Sequence, residues 1–339
     1  MVATTWVGID IGASTVKLGL LGPDNQPIGE RRDYPSRAKI GPSSTMAVIE
    51  EGVNHLLREH GLKRDDVAGI GASMPTPVTE DGRCIYATNI HPTWVDLNVR
   101  SAIATATELP VVLMNDGDAA AYREYLLRRA AGSASDAMAQ FITGTGLGGS
   151  VILHGELLSA PGVVAELGHV ITDTGPDVDR CGCGAMGCAE TRASLTGLAN
   201  LVRHRVPQDC DLLELQGDPL DVAKRLRRLG QADSVHPTVR AIWHEYFTHI
   251  GRAARSVANV LGCDLVVLSG GAQEHEDGAS TEAWTRFLDE GLAWIREELA
   301  TSFSHLRSLR VEWSIDPLPD SAAYGAAAYA RHRAHRDAN

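Results

Sequence analysis

Two segments of the chain share one plan, in which a strand runs into a glycine-rich turn and a second strand leaves it. They read VGIDIGASTVKLGL (7–20) and FITGTGLGGSVIL (141–153). Apolar, β-branched runs next to glycine predict strands, and glycine accepts the backbone angles of a tight turn. A plan that occurs twice indicates two related domains that each open with a hairpin. We expect the two turns to face a long cleft between the domains.

The rest of the chain alternates between strand-like and helical patterns, which is typical of the α/β class. The predicted strands are 26–35, 67–75, 109–116, 264–272 and 309–315, and the predicted helices are 43–61, 119–131, 196–206, 219–229, 237–261, 282–300 and 320–334. A length of 339 residues favours two domains over one. We predict a small N-terminal domain formed by 1–115 with 318–339, and a large domain formed by 116–317.

The composition excludes several classes of protein. The formal net charge of −12 disfavours a nucleic-acid-binding surface, because phosphates are bound by basic proteins. No apolar run reaches the ~18 residues of a membrane-spanning helix, and the N-terminus lacks the features of a signal peptide. Three of the six cysteines cluster and three are scattered, which fits a reducing compartment. We therefore expect a cytoplasmic protein without a nucleic-acid or membrane partner.

The first glycine turn, in DIGASTVK, is a candidate phosphate-binding site. Its backbone N–H groups and the hydroxyls of Ser14 and Thr15 could bind phosphate oxygens, and Lys17 adds positive charge nearby. Asp10, at the end of the preceding strand, could hold a hydrated Mg²⁺. The alternative is an ordinary hairpin with an exposed turn.

The second turn, in TGTGLGG (143–149), is a second candidate of the same kind. Gly144 and Gly146 would let the backbone approach an anion closely. The alternative is a glycine bulge. Because both turns open comparable hairpins, each makes the phosphate interpretation of the other stronger.

The segment MNDGDAAAY (114–122) ends an apolar strand and starts a helix. Asn115 and Asp116 would lie at the carboxyl edge of the sheet, where α/β proteins bind their ligands. A carboxylate there can accept a proton from a substrate hydroxyl. The alternative is helix capping, which Asn and Asp both favour and for which Asp118 also competes. This segment alone favours capping.

Three cysteines lie within CGCGAMGC (181–188), and a histidine precedes them in VAELGHV. The spacing of His169, Cys181, Cys183 and Cys188 predicts a closed tetrahedral Zn²⁺ site, with glycines that let the chain fold tightly around the ion. A redox pair or unligated thiols are the alternatives, but Cys–x–Cys fits the Cys–x–x–Cys redox pattern poorly. Without an open coordination position, the metal would be structural.

Two carboxylates flank these ligands. Glu166 lies three residues before His169, and Glu190 lies two residues after Cys188. A metal would draw both glutamates and the imidazole onto one wall, where they suit the hydroxyl groups of a polyol. Taken singly, each glutamate would be a solvated surface charge.

Together these residues resemble the ROK family (repressors, open reading frames and kinases) of the actin-like, hexokinase-type ATPase superfamily. The resemblance covers essentially the whole chain and rests on DIGASTVK, MND, TGTGLGG, ELGH, CGCGAMGC, Glu190 and LSGGA. It implies a two-domain actin-like ATPase fold of the ribonuclease H-like kind, with an interdomain cleft and a structural zinc knot.

The resemblance also implies ATP-dependent, glucokinase-like phosphorylation of a hexose, usually at O6. The cofactors would be ATP, Mg²⁺ and structural Zn²⁺, and the assembly a homodimer or homotetramer. Asp116 would be the catalytic base. The sugar would be bound by Asn89, Asn115, Asp116, Glu166, His169 and Glu190. The nucleotide would be faced by Asp10, Gly12, Ser14, Thr15, Lys17, Thr143, Gly144, Thr145, Gly146, Gly270 and Gly271.

The sequence departs from the family pattern at three places. Ala13 replaces a second glycine of the first turn and is tolerated if its φ is negative. MPTPV (74–78) replaces a more usual Pro–Gly–Pro, and NDGDAAA replaces Asn–Asp–Ala–Asn. The last two lie near the expected sugar pocket, so N-acetylmannosamine, N-acetylglucosamine, kanosamine or a C7-cyclitol stay open as acceptors beside glucose.

Two other functions compete. A sugar-responsive repressor needs a DNA-reading helix-turn-helix of ~60–80 residues ahead of the first glycine motif, and Asp10 leaves no room for it. A non-catalytic, actin-like structural ATPase would have no use for the zinc wall and Asp116. Both therefore rank below a kinase.

Overall fold

The computed structural model describes residues 4–87, 90–158, 164–206, 212, 215, 217–316 and 322–337. Within these ranges the strands are β1 (Thr5–Ile11), β2 (Thr15–Leu21), β3 (Pro27–Pro35), β4 (Val67–Met74), β5 (Val111–Asn115), β6 (Ala137–Thr143), β7 (Leu147–Leu153), β8 (Glu156–Leu157), β9 (Leu265–Gly270) and β10 (Arg310–Trp313). The helices are α1 (Pro42–Glu59), α2 (Val99–Thr107), α3 (Asp116–Ala130), α4 (Leu195–Arg205), α5 (Pro219–Gly230), α6 (Pro237–Leu261), α7 (Thr281–Ala300) and α8 (Ala322–Asp337). None of these helices is both long and apolar enough to cross a membrane.

The first sheet has the strand order β3-β2-β1-β4-β5. β1 pairs antiparallel with β2, and β2 with β3, whereas β4 and β5 continue the sheet parallel to β1. Every residue of β1 is buried, as expected for a central strand of an α/β sheet that is covered on both faces. The first predicted hairpin, β1–β2, is confirmed.

The alanine-rich helix α8 packs against β1, β2 and β4. Two glycines permit this close approach: a Cβ at Gly8 would lie 2.1 Å from the carbonyl oxygen of Ala323, and one at Gly71 would lie 2.0 Å from that of Ala326. Larger residues would push α8 off the sheet. The central strands are therefore fixed against a helix backbone, which makes their carboxyl ends a firm support for a site.

The second sheet repeats this plan with the order β8-β7-β6-β9-β10. β6 and β7 form an antiparallel hairpin, and β9 and β10 extend the sheet parallel to β6. Each strand thus has a counterpart in the first sheet, with β6 in the place of β1 and β9 in the place of β4. The α/β class and the second predicted hairpin are confirmed.

The chain divides into two compact units. One comprises Met1–Ala134, Leu157–Val164 and Ile315–Asn339, and the other comprises Ser135–Glu156 and Ala165–Ser314. This division differs from the predicted boundary at 115/116, because α3 groups with the first unit. The reason is its packing on α8: a Cβ at Gly325 would lie 1.8 Å from the carbonyl oxygen of Ala119.

Candidate active site

Polar side chains meet at one edge of the first sheet, where β1, β4 and β5 end. The parallel register places Asp10 beside Ser73, and Met74 beside Asn115. Asp116 follows at once as the first residue of α3. Ligands of α/β proteins bind at this edge of the sheet. The structure therefore brings the predicted residues of β1 and of the MND segment to one place.

Asp10 is buried, with 8% of its surface exposed, and two neighbours hold its carboxylate. The hydroxyl of Ser73 donates a hydrogen bond of 2.8 Å to Oδ1, and Nζ of Lys17 lies 3.7 Å from Oδ2. Such partners offset the loss of hydration of a buried carboxylate. Sequence reasoning missed Ser73, although a hydroxyl in an otherwise apolar strand was a signal.

Asn115 and Asp116 both accept a hydrogen bond from the backbone N–H of Gly117. The distances are 2.9 Å to Oδ1 of Asn115, the N-cap of α3, and 2.8 Å to Oδ1 of Asp116. Burial, together with the negative charge of Asp10, raises the pKa of Asp116 to about 7. A carboxylate whose pKa lies near neutral pH has the proton affinity that suits a general base.

The turn between β1 and β2 comprises Gly12, Ala13 and Ser14. The N–H of Gly12 donates a hydrogen bond of 2.8 Å to the carbonyl oxygen of Thr15, and the carbonyl oxygen of Ser14 accepts one of 2.9 Å from the N–H of Ser36. Ala13 is not among the described non-glycine residues with positive φ. Alanine therefore fits this turn without backbone strain.

The turn between β6 and β7 comprises Gly144, Thr145 and Gly146, and the N–H of Gly144 closes it with a hydrogen bond of 2.9 Å to the carbonyl oxygen of Gly146. A Cβ at Gly146 would lie 2.3 Å from Oε2 of Glu190. The same oxygen accepts a hydrogen bond of 2.9 Å from the N–H of Leu147. Glu190 therefore contacts this turn, a relationship that the sequence analysis missed.

Gly270 and Gly271, at the end of β9, lie beside the second turn. The hydroxyl of Thr143 donates to the carbonyl oxygen of Ser269 at 3.0 Å and accepts from the N–H of Ala272 at 3.2 Å. Gly270 has a φ of 93°, and a Cβ there would lie 2.1 Å from the carbonyl oxygen of Thr143. In the second unit, the residues of TGTGLGG and LSGGA that were predicted to bind the nucleotide therefore lie next to each other.

His169, Cys181, Cys183 and Cys188 converge in the second unit, with their ligand atoms all within 4.8 Å of one another. Sγ of Cys183 lies 3.6 Å from Sγ of Cys188, and Sγ of Cys181 lies 3.5 Å from Nδ1 of His169. A tetrahedral zinc ion with ordinary bond lengths separates two sulfur ligands by about 3.8 Å, and sulfur from nitrogen by about 3.6 Å. The four side chains, here called the Cys3His cluster, therefore fit a zinc ion.

Two of the three thiols of this cluster, those of Cys181 and Cys188, need a compensating positive charge before they can serve as thiolates. Burial raises the pKa of the Cys188 thiol to about 12 and also raises the pKa of the Cys181 thiol. A hydrogen bond from the backbone of Ala185 lowers the pKa of the Cys183 thiol. A divalent cation bound here would supply the missing charge, because a coordinated thiol is deprotonated.

One buried arginine shapes the loop around the cluster. The guanidinium of Arg192 donates hydrogen bonds to the carboxylates of Asp173 at 3.0 Å and Asp179 at 2.7 Å, and to the carbonyl oxygen of Asp177 at 2.8 Å. A Cβ at Gly187 would lie 1.8 Å from the carbonyl oxygen of Asp173. The loop is therefore held by a charged side chain and by a glycine rather than by a regular element.

Glu166 and Glu190, the predicted sugar-binding carboxylates, both interact with this region. Burial raises the pKa of Glu166, His169 opposes this shift, and the charge of Glu190 adds to it. Oε1 of Glu190 lies 3.6 Å from Sγ of Cys181. Glu190 thus contacts the Cys3His cluster with one oxygen and the second turn with the other. Asn89, the remaining predicted sugar ligand, lies outside the described residues.

Comparisons with known proteins agree on one family. The sequence model of the ROK family matches residues 6–291. The glucokinase of Halalkalibacterium halodurans is 29% identical over 277 residues, covering 80% of this chain and 82% of that protein. The N-acetylmannosamine kinase of Escherichia fergusonii is 30% identical over 305 residues, covering 89% and 94%. The crystal structure of a ROK family glucokinase from Streptomyces griseus with glucose and AMPPNP has a TM-score of 0.70 at 24% identity, covering 97% of this chain and 99% of that chain, so it shares the fold.

Proposed function

Because the chain belongs to the ROK family, we propose that it is an ATP-dependent sugar kinase that transfers the γ-phosphoryl group to a hexose hydroxyl. Its relatives along most of its length include a glucokinase and an N-acetylmannosamine kinase. The ROK fold with its two α/β sheets is the scaffold on which the reaction would run. The protein is therefore a sugar phosphotransferase.

The observation that carries this proposal is the position of Asp116 together with the raised pKa of its carboxyl group. Its carboxyl group lies at the carboxyl edge of the first sheet, and its pKa is raised to about 7 by burial and by Asp10. A sugar hydroxyl is a weak nucleophile, so a carboxylate poised to take its proton is the group that the reaction requires. A position at the start of a helix does not explain this shift, because a helix N-terminus stabilises a carboxylate and so lowers its pKa. The capping role is also already filled by Asn115.

In the proposed reaction, the oxygen of the acceptor hydroxyl forms a bond to the γ-phosphorus while Asp116 accepts the proton of that hydroxyl. The bond from that phosphorus to the bridging oxygen breaks, and ADP leaves with the electron pair. Asp116 then returns the proton to solvent. Phosphoryl transfer of this kind depends mostly on positioning and on neutralisation of charge.

We assign the other residues by the family resemblance. The acceptor would be held by Asn89, Asn115, Glu166, His169 and Glu190. The nucleotide would contact Gly12, Ser14, Thr15, Thr143, Gly144, Thr145, Gly146, Gly270 and Gly271. Lys17 would balance Asp10 as well as add positive charge near the phosphates, since it lies 3.7 Å from that carboxylate.

Two metals belong to the proposal. Mg²⁺ arriving with the nucleotide would neutralise phosphate charge, with Asp10 holding one of its water ligands. Zn²⁺ in the Cys3His cluster would be structural, because all four of its positions are filled by protein. The chain's own contribution is to keep Glu166 and Glu190 in fixed orientation beside the cluster, with His169 held as one of its ligands.

The acceptor is proposed to be glucose, phosphorylated at O6, with N-acetylmannosamine as the second candidate. Each choice follows one relative of comparable similarity. Other analogues, namely N-acetylglucosamine, kanosamine and a C7-cyclitol, are kept in the test because residues 74–78 and 115–118 depart from the family pattern. We expect a homodimer or homotetramer in the cytoplasm.

The test is a screen of the purified protein with Mg-ATP against these sugars and the cyclitol, measuring ADP release. We expect one acceptor to be turned over well above the rest, and NMR of its product to show the phosphate on O6. ADP release that no acceptor stimulates would contradict the proposed function.

A further inference from the structure

The N-terminus of helix α4 donates hydrogen bonds to the second glycine turn. The N–H of Leu195 donates a hydrogen bond of 2.9 Å to the carbonyl oxygen of Gly144. The hydroxyl of Thr196 donates one of 2.8 Å to the carbonyl oxygen of Thr145, and the N–H of Thr196 donates another of 3.3 Å to the same atom. Two successive carbonyl groups of the turn therefore point toward α4.

Because the peptide bond is planar, the direction of these two carbonyl groups also fixes the direction of the N–H groups that follow them. In a trans peptide, the N–H of each residue points away from the preceding carbonyl oxygen, and the described residues contain no cis peptide. The N–H groups of Thr145 and Gly146 therefore point away from α4. Two successive N–H groups on one side of a turn form a concave site for an anion.

We propose that Thr196 is a positioning residue for the nucleotide: its hydroxyl orients the Thr145–Gly146 peptide so that adjacent N–H groups face a nucleotide phosphate. The inference rests on the proposed function, because it requires that the turn binds a nucleotide. Thr196 acts through the turn and does not itself touch the phosphate. Its side chain is exposed, so its replacement leaves the packed core intact.

Thr196 also lies on a short path from the Cys3His cluster to the turn. The chain runs from the ligand Cys188 to Glu190, whose carboxylate accepts a hydrogen bond from the N–H of Leu147. Ser194 caps α4 and donates its hydroxyl to the carbonyl oxygen of Glu190 at 2.8 Å. The segment 190–196 thus holds both the entry and the exit of the turn.

The experiment measures the Kd of Mg-AMPPNP by titration calorimetry for the wild type and three variants. Thr196→Val keeps the shape of the side chain but removes the hydroxyl, and Thr196→Ser restores it. Thr285→Val is the matched control, because the Thr285 hydroxyl makes a bond of the same length, 2.8 Å, to a carbonyl oxygen within α7. Melting temperatures report on folding.

We expect Thr196→Val to raise the nucleotide Kd by about twofold to tenfold, as the loss of one hydrogen bond does. Thr196→Ser and Thr285→Val should stay within twofold of the wild type, with melting temperatures unchanged. Equal nucleotide affinity in wild type and Thr196→Val would overturn the inference alone, as would failure of serine to rescue. A wild type that does not bind Mg-AMPPNP would overturn the proposed function and this inference with it.

Discussion

Asp116 interacts with Asp10 across the edge of the first sheet, and burial together with the Asp10 charge raises the pKa of Asp116 to about 7. Each carboxylate has its own support: Ser73 and Lys17 hold Asp10, and the N–H of Gly117 holds Asp116. Two acids at one edge are thereby given different roles. Asp10 is paired with the ammonium group of Lys17, whereas Asp116 has a raised affinity for a proton.

The first prediction concerns the pH dependence of the reaction. Below about pH 7 Asp116 is protonated and cannot act as a base, so kcat/KM should rise about tenfold per pH unit there and level off above. Asp10→Asn should move the midpoint to lower pH, because it removes a negative charge. An initial-rate profile that stays flat from about pH 5.5 to 8.5 would contradict the assignment of Asp116 as the base.

The second prediction concerns stability. The folded protein holds the Asp116 proton more tightly than the unfolded chain does, so ionisation of Asp116 lowers the free energy of unfolding as pH rises from about 4 to about 7. Asp116→Asn cannot ionise and should melt above the wild type at pH 8, by a margin that shrinks toward pH 4. A variant that melts lower than the wild type at pH 8 would argue against the raised pKa.

The third prediction concerns the metal. Elemental analysis of the purified protein should give close to one zinc per chain. Cys183→Ser should lose the zinc and lower the melting temperature, because the free energy of metal binding contributes to folding. Cys263→Ser is the control, since Cys263 is a buried thiol outside the cluster. Full activity and stability in a preparation without metal would refute the zinc assignment.

The fourth prediction concerns Gly146. A methyl group there would displace the carboxylate of Glu190 and break its hydrogen bond to the N–H of Leu147. Gly146→Ala should therefore lower the free energy of unfolding by about 1–2 kcal/mol and raise the KM for ATP. Gly148→Ala is the control, because its nearest contact would lie at an ordinary 3.9 Å. Equal behaviour of the two variants would exclude this role for Glu190.

Sequence patterns predicted both hairpins because a glycine turn between two apolar runs is a local signal. The strand order could not be predicted in this way, since it depends on pairing between distant segments. Helix α2 was missed: its β-branched residues suggest a strand, yet Val99, Ile103 and Thr107 fall four residues apart and form its buried face.

The candidate site was predictable where chemistry and spacing coincide, as in the Cys3His cluster. The contacts of Glu190 with the second turn and of Thr196 with the carbonyl of Thr145 were not, because nothing in the local sequence shows which backbone atoms a side chain reaches. The pKa of Asp116 depends on Asp10, more than a hundred residues away in the chain. Such relationships become visible only when the fold brings the segments together.

The central claim is that Asp116 is the general base, and one variant tests it most directly. Asp116→Asn keeps the shape of the side chain and an oxygen that can accept the hydrogen bond from the N–H of Gly117, but it cannot accept the proton. We expect kcat to fall by ~10²–10⁴, with sugar affinity changed far less, while Asp118→Asn on the same helical turn keeps kcat near that of the wild type. A fall in kcat of less than about tenfold for Asp116→Asn, well short of the loss of a general base, would show that Asp116 is not the base.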